Sequence, residues 1–199
     1  MTPNLSSTTL RIGLLGGSFN PAHEGHLHIS RMARRALGLD EVWWLVSPQN
    51  PLKSSDGMAP FAERLARAQA LAKDRGLVVT DLETRLGTRY TVDTVHALAQ
   101  RAPRARFVWL MGADNALQFR KWKRWTAIAE TLPIAVYPRP GFTLKARLGP
   151  FAQRYAAVTL DASDGRLLPD LAPPAIVFLA GATDPASATA LRNLVKPSR

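Results

Sequence analysis

No cysteine occurs anywhere in the 199 residues. That excludes a disulfide framework, a thiolate metal cluster and a cysteine nucleophile. Acidic residues are scarce: 15 Asp and Glu stand against 26 Lys and Arg, a formal net charge of +11. Long apolar runs are missing as well, none approaching the roughly 18–20 residues that a spanning helix needs. Residues 1–9 (MTPNLSSTT) lack both a basic start and an apolar stretch, so they read as a flexible polar tail and not as a signal peptide. No membrane partner is expected, and the cytoplasm is the expected compartment. Hydrophobic residues, at 46%, are too many for a disordered polyelectrolyte, and the length suits one domain with a real core. A basic balance of this size points to a nucleic acid, an anionic membrane surface, a small phosphorylated substrate or simply a solvated basic surface.

Apolar runs alternate with helical spacing along the chain. Residues 10–15 (LRIGLL), 41–46 (EVWWLV), 77–81, 106–111 (RFVWLM), 133–137 and 175–179 read as strands. Residues 25–37, 61–73 and 91–101 carry amphipathic helical spacing, as in Phe61, Leu65, Ala68 and Ala72. A short aromatic-rich helical region runs to about Glu130, and 187–195 reads as a closing helix. The stretch 139–174 is the least regular, rich in Pro and Gly, yet too short for a second domain. Strands separated by helices imply parallel βαβ units. The expected fold is α/β: a Rossmann-like, open, doubly wound parallel sheet with helices on both faces, in a single domain over 10–199. Ligands of such a sheet sit at the carboxyl ends of its strands, near the point where strand order reverses. Segments 16–26, 47–53, 112–125 and 181–192 therefore carry the expected site.

The first of these reads Gly16-Gly17-Ser18-Phe19-Asn20-Pro21-Ala22-His23-Glu24-Gly25-His26. It is neither a G-x-G-x-x-G turn nor a P-loop. The glycines let the backbone turn sharply and approach a ligand. His23 and His26, three residues apart at a helix start, can converge on one point that also receives free amides and the positive end of the helix dipole. That is an anion site, suited to stabilising a transferring phosphoryl group. An H-x-x-H metal pair is the rival reading, but no third ligand of matching type lies nearby in sequence. His28 and His96 read as capping or solvated residues. Near the C-terminus Ser187, Thr189 and Arg192 form a second candidate anion site: hydroxyls at a helix mouth with an arginine one turn in.

The eleven-residue string resembles the G-x-F-x-P-x-H-x-G-H motif of the HxGH nucleotidyltransferase superfamily, matched by Gly17, Phe19, Pro21, His23, Gly25 and His26. Segment 187–192 resembles the I-S-S-T-x-I-R element of adenylyltransferases, with Ala186 in place of Ile and Ala188 in place of the second Ser. Arg89-Tyr90-Thr91-Val92-Asp93-Thr94, Gly112-Ala113-Asp114 with Trp122, and Arg139-Pro140-Gly141 resemble the Y-T-x-D-T, G-A-D…W and R-P-G elements of the bacterial nicotinate mononucleotide adenylyltransferases. Segment 47–53 is similar to that family's loop after strand two. Asn20 stands where the family often carries Asp.

The resemblance implies transfer of AMP from ATP to nicotinate mononucleotide, giving deamido-NAD and pyrophosphate in NAD biosynthesis, without a covalent intermediate. ATP is then the co-substrate, with Mg²⁺ carried on its phosphates and no metal ligand from the protein. His23, His26, Lys53 and Arg192 are the implied catalytic groups. Gly16, Gly17, Ser18, Phe19, His23, His26, Ser187, Thr189 and Arg192 are the implied ATP contacts. Thr91, Asp114, Trp122, Lys123 and Arg139 are implied for nicotinate mononucleotide: backbone amides of Thr91 and Lys123 on the carboxylate, Trp122 stacked on the ring, Asp114 on a ribose hydroxyl. Phe119 stands where it could add to the stacking face. Trp125 is open between stacking and core packing, and Tyr90 and Asp93 between site and helix start. Nicotinamide mononucleotide or phosphopantetheine are alternative acceptors. A basic nucleic-acid-binding module is the alternative of another class, though no long basic run or recognised binding motif supports it, and no nucleic acid is expected.

Overall fold

The computed structural model describes residues 10–48 and 57–181. Seven strands, β1 (Arg11–Gly17), β2 (Glu41–Val46), β3 (Leu77–Thr80), β4 (Arg106–Gly112), β5 (Ile134–Tyr137), β6 (Thr159–Leu160) and β7 (Ile176–Phe178), form one sheet in the order β3-β2-β1-β4-β5-β7-β6. Every pairing is parallel. The order reverses between β1 and β4, which opens a crevice at their carboxyl ends.

Side chains alternate across each strand with period two, so each apolar strand feeds two cores. Trp43 and Leu45 of β2, with Trp109 and Met111 of β4, face one side. There they meet Val92, Val95 and Leu98 of α4 (Thr91–Arg101) and Ile128 of α6 (Trp125–Thr131). Val42, Trp44 and Val46 face the other side, against Leu27, Ile29, Ala33 and Leu37 of α1 (Glu24–Leu37) and Ala68 of α2 (Phe61–Leu71). The expected layering is therefore observed, with helices on both faces. No helix among the described residues is long and apolar enough to cross a membrane.

Two regions go beyond the sequence reading. Between β3 and α4 lies α3 (Leu82–Leu86), whose single turn is too short to display a period and is closed by Gly87 at φ 65°. The irregular stretch 139–174 contains α7 (Thr143–Arg147), α8 (Pro150–Arg154), a 3-10 segment over Ala162–Asp170, and β6, which is the sheet's edge. A further short helix, α5 (Ala113–Gln118), follows β4 directly. The expected closing helix at 187–195 lies outside the described residues.

Candidate active site

β1 ends in two glycines, and the chain then turns into α1. A Cβ on Gly16 would stand 2.6 Å from Cη2 of Trp109, so this strand end tolerates no side chain without moving that indole. Phe19 is held at φ 47°, a left-handed conformation that a bulky residue keeps only when its surroundings enforce it. Here they do: its ring is 2% exposed, stacks on Trp44 at 5.1 Å and lies 4.6 Å from the His26 ring. Phe19 thus supports the histidines from behind, and its side chain faces the core.

His23 is the N-cap of α1. Its Nδ1 accepts from the Gly25 N–H at 3.1 Å, while His26 Nδ1 accepts from the His23 N–H at 3.2 Å, a reciprocal capping box built from two imidazoles. An accepting Nδ1 places the proton of each neutral ring on Nε2. The two ring centroids are 3.9 Å apart. Burial, then the neighbouring His23 and Arg139, push the His26 pKa down to about 3, so this ring is neutral near pH 7. The convergence expected of His23 and His26 is present, at the positive end of a fourteen-residue helix.

On the opposite side of Gly16, Gly17 and Ser18 opens a cavity of about 320 Å³. It is lined by Trp109 and Ile128, by Arg89, Tyr90 and Thr91 where α4 begins, and by Trp122 and Lys123. Trp122 stands edge-on to Trp109 at 6.2 Å and to Phe119 at 5.3 Å. Thr91 is the first residue of α4, and Tyr90, its N-cap, supplies no side-chain cap. The Thr91 N–H therefore has no intrahelical acceptor, and Thr91 lines the cavity, whereas the Asp93 N–H donates to Tyr90 O at 3.0 Å. Lys123 reaches the start of α4: its Nζ lies 4.2 Å from the Tyr90 ring centroid and 3.6 Å from Asp93 Oδ2. Tyr90 and Asp93 thus serve the cavity by holding Lys123.

Phe119 differs from expectation. It is 0% exposed, wedged among Trp122, Trp125 and Phe151, so it offers no face to a ligand. Trp125 is half-buried, packs on Phe151 and Tyr155 and is absent from the cavity lining. His96 lies in the middle of α4, half-buried, and meets the Thr131 hydroxyl of α6 at 3.4 Å.

Asp114 and Arg139 stand outside that cavity, at the ends of β4 and β5, with Arg139 Nε 3.7 Å from Asp114 Oδ1. Arg139 also lies over the Tyr137 ring at 5.4 Å and acts electrostatically on His26. A Cβ on Gly112 would fall 2.3 Å from Asp114 Oδ1, so the bare backbone there is what lets the carboxylate fold back. Lys53, Ser187, Thr189 and Arg192 lie outside the described residues.

Two polar groups escaped the sequence reading. Arg64, on the α2 pattern, is 1% exposed. Glu83, in α3, is 7% exposed and lines the cavity, bonded to the hydroxyls of Ser47 and Thr94. Burial pushes its pKa up to about 7.

Residues 14–194 match the cytidylyltransferase-like family. A protein of Parvibaculum lavamentivorans named "Probable nicotinate-nucleotide adenylyltransferase" is 64% identical over 184 residues, covering 92% of each chain. One of the same name from Caulobacter sp. is 50% identical over 184 residues, covering 92% of this chain and 97% of its own. The chain belongs to the nicotinate-nucleotide adenylyltransferase family. A solved nicotinic acid mononucleotide adenylyltransferase of Plasmodium falciparum, complexed with NaAD, shares the fold at a TM-score of 0.61 and 18% identity, over 71% of this chain and 72% of that one.

Within this adenylyltransferase frame, the two titrating groups pull stability in opposite directions. The unfolded chain binds a proton on His26 below about 6.5 that the folded chain refuses down to about 3, so stability falls on acidification through that window. Glu83 is the reverse: the folded chain keeps a proton from the ordinary value of 4.5 up to about 7, so stability falls as pH rises through that range. A plateau between roughly pH 4.5 and 6.5 is expected, with Glu83→Gln removing the loss on its alkaline side. Urea midpoints across pH 4–8 for the two chains measure this, and an unchanged alkaline slope in Glu83→Gln contradicts the assignment.

The Lys123 tether is exposed, so Lys123→Met is expected to cost only about 0–1 kcal/mol of stability. Its effect should fall on the acceptor side, as a several-fold rise in acceptor KM with ATP KM unaltered. Steady-state kinetics in both substrates distinguish this from a general loss of activity.

Proposed function

We propose that the protein transfers AMP from ATP to nicotinate mononucleotide, forming deamido-NAD and releasing pyrophosphate. The observation that carries this reading is the placement of two unlike subsites on either side of one glycine turn. One holds paired imidazoles, that of His26 neutral, at a helix N-terminus, and the other is an aromatic cavity bordered by the first residue of a second helix.

The imidazoles and the start of α1 take the phosphates of ATP, with Gly16, Gly17 and Ser18 allowing close backbone approach. His23 and His26 each offer an Nε2–H donor. A neutral donor suits this task, since it follows charge developing on the phosphoryl oxygens without first needing a proton from solvent. The acceptor's ring enters the cavity against Trp122, its carboxylate on the amides of Thr91 and Lys123. Arg139 and Asp114 meet the acceptor's phosphate and ribose. Lys53, Ser187, Thr189 and Arg192 complete the phosphate contacts from outside the described residues. Mg²⁺ arrives on the triphosphate as part of the substrate and neutralises charge there.

A phosphate oxygen of the acceptor attacks the α-phosphorus of ATP. The bond from that phosphorus to the oxygen bridging the β-phosphorus breaks, and pyrophosphate carries away the electron pair. The acceptor phosphate is already a nucleophile, so the protein contributes alignment and charge neutralisation. A single in-line displacement inverts configuration at the α-phosphorus. ATP made chiral at that position should therefore give product of inverted configuration, whereas retention points to a covalent enzyme intermediate.

A further inference from the structure

Arg64 is the largest buried charge that the reaction scheme leaves unused. Its four hydrogen bonds within the described residues go to backbone carbonyls: Nε donates to Ala59 O at 3.0 Å, Nη1 to Ser18 O at 2.5 Å and Ser47 O at 2.8 Å, and Nη2 to Pro48 O at 2.8 Å. No carboxylate among the described residues pairs with it. Burial alone acts on its pKa, by lowering it. Its guanidinium also lies 5.5 Å from the Phe61 ring centroid. A buried cation held by carbonyls and one aromatic face loses its hydration without an opposite charge in return, so the sequence retains it against a cost. Its acceptors show what it does. Ser18 ends the phosphate turn, Ser47 and Pro48 follow β2, and Ala59 precedes α2.

Ser47 is where this fork meets the acceptor side. Its N–H donates to Gly17 O at 2.9 Å, its carbonyl accepts from Arg64, and its hydroxyl bonds Glu83. Glu83 in turn holds Thr94 of α4, three residues beyond Thr91, and Thr94 meets the Thr88 hydroxyl at 2.8 Å. A chain of contacts thus runs from the turn before His23, through Ser47 and Glu83 on the cavity lining, to Thr88, whose N–H donates to Glu83 O at 3.0 Å and whose hydroxyl meets Thr94 of α4. Ser18, Ser47 and Glu83 all line that cavity, whereas Arg64 lies one residue behind its wall.

We propose that Arg64, Ser47 and Glu83 form one positioning network that holds the phosphate turn in register with the acceptor wall, so that the acceptor phosphate meets the α-phosphorus in line. This rests on the adenylyl-transfer reading above. A lysine at 64 keeps the charge but cannot make the four-way fork. Misalignment by a fraction of an ångström lowers turnover more than it lowers binding.

The test is a double-mutant cycle with Arg64→Lys and Ser47→Ala, measured as kcat and both KM values. Arg64→Lys is expected to lower kcat about tenfold or more with ATP KM within about twofold. Ser47→Ala should lower kcat less, and the double variant should be no slower than Arg64→Lys alone, because members of one network are not additive. Multiplying effects, or a folded Arg64→Lys with unchanged kcat, overturn the network. Should Arg64→Lys fail to fold, Ser47→Ala with Glu83→Gln gives the same cycle on milder changes, and unchanged kcat in Ser47→Ala is then decisive against it. Hydrogen exchange of segments 16–18 and 47–48 reads the network without turnover: faster exchange in the variants is expected, and equal exchange contradicts it. A wild-type chain that makes no dinucleotide defeats the reaction assigned above, while an active wild type with unaffected variants defeats only the network.

Discussion

Replacing His23 by alanine is expected to lower kcat on the order of 10²–10³-fold while ATP KM moves only a few-fold. The size follows from removing one preorganised donor aimed at charge that grows in the transition state. His23 has a second job, since its Nδ1 caps α1, and losing a cap costs about 1 kcal/mol of stability. His23→Asn separates the two. Its side-chain oxygen can take over the cap, so thermal stability should recover while turnover stays low. Recovery of turnover together with stability in His23→Asn shows that the cap alone mattered. His26→Gln is expected to behave like His23→Ala in kcat, and also to relieve the acid-side loss of stability that the buried imidazole imposes.

Trp122→Ala should raise the KM for the nicotinate acceptor roughly 5- to 150-fold, the range of about 1–3 kcal/mol for one aromatic ring stacked on a base. ATP KM should hold. Trp122 also leans edge-on against Trp109 and Phe119, so part of any effect comes from packing. Trp122→Phe keeps a flat face and most of that packing, and should return most of the acceptor affinity. Trp125→Phe gives the contrast. Its ring contacts are Phe119, Phe151 and Tyr155, all in the core, so that change should lower Tm without touching acceptor KM selectively. Equal acceptor effects at 122 and 125 contradict the placement of the pyridine ring in this cavity.

The fold was legible because strand signals in this chain are strong and bounded. EVWWLV and RFVWLM are continuous apolar runs, as strands covered on both faces must be, and glycine or proline follows each within a few residues. What escaped was short or set by distant partners. β6 is two residues paired with β7 at the edge, and α3 is a single turn. Arg64 sat in an amphipathic pattern whose polar positions ordinarily face water. Only the approach of the loops after β1 and β2 turns that position inward, and no local spacing encodes it. Glu83 is hidden for the same reason, its hydroxyl partners being 36 and 11 residues away (83 − 47 and 94 − 83). For the site, the two histidines read from the motif meet at one helix start, and Thr91, Trp122 and Lys123 line one cavity. Motif spacing could not say that Phe119 points inward while Trp122 points to the cavity, because three residues in this turn-rich segment separate core from surface.

The charge of +11 has a partly local use. Arg64 and Arg139 stand within or behind the site, and Arg89, Lys121 and Lys123 line the acceptor cavity, where they favour phosphorylated ligands. Others are spent elsewhere: Arg31 pairs with Asp74, and Arg11 with Asp170. In the proposed reaction the five basic residues at the site serve to attract phosphorylated substrates to one crevice.

Pyrophosphate release from ATP, with nicotinate and nicotinamide mononucleotides and phosphopantetheine offered separately as acceptors, tests the central claim most directly. Release should be fastest with nicotinate mononucleotide, with deamido-NAD formed in equal amount. The cavity's amides favour a carboxylate over a carboxamide, so the amide should react more slowly, and phosphopantetheine should not react at all. Release with phosphopantetheine and with neither pyridine nucleotide would contradict the account.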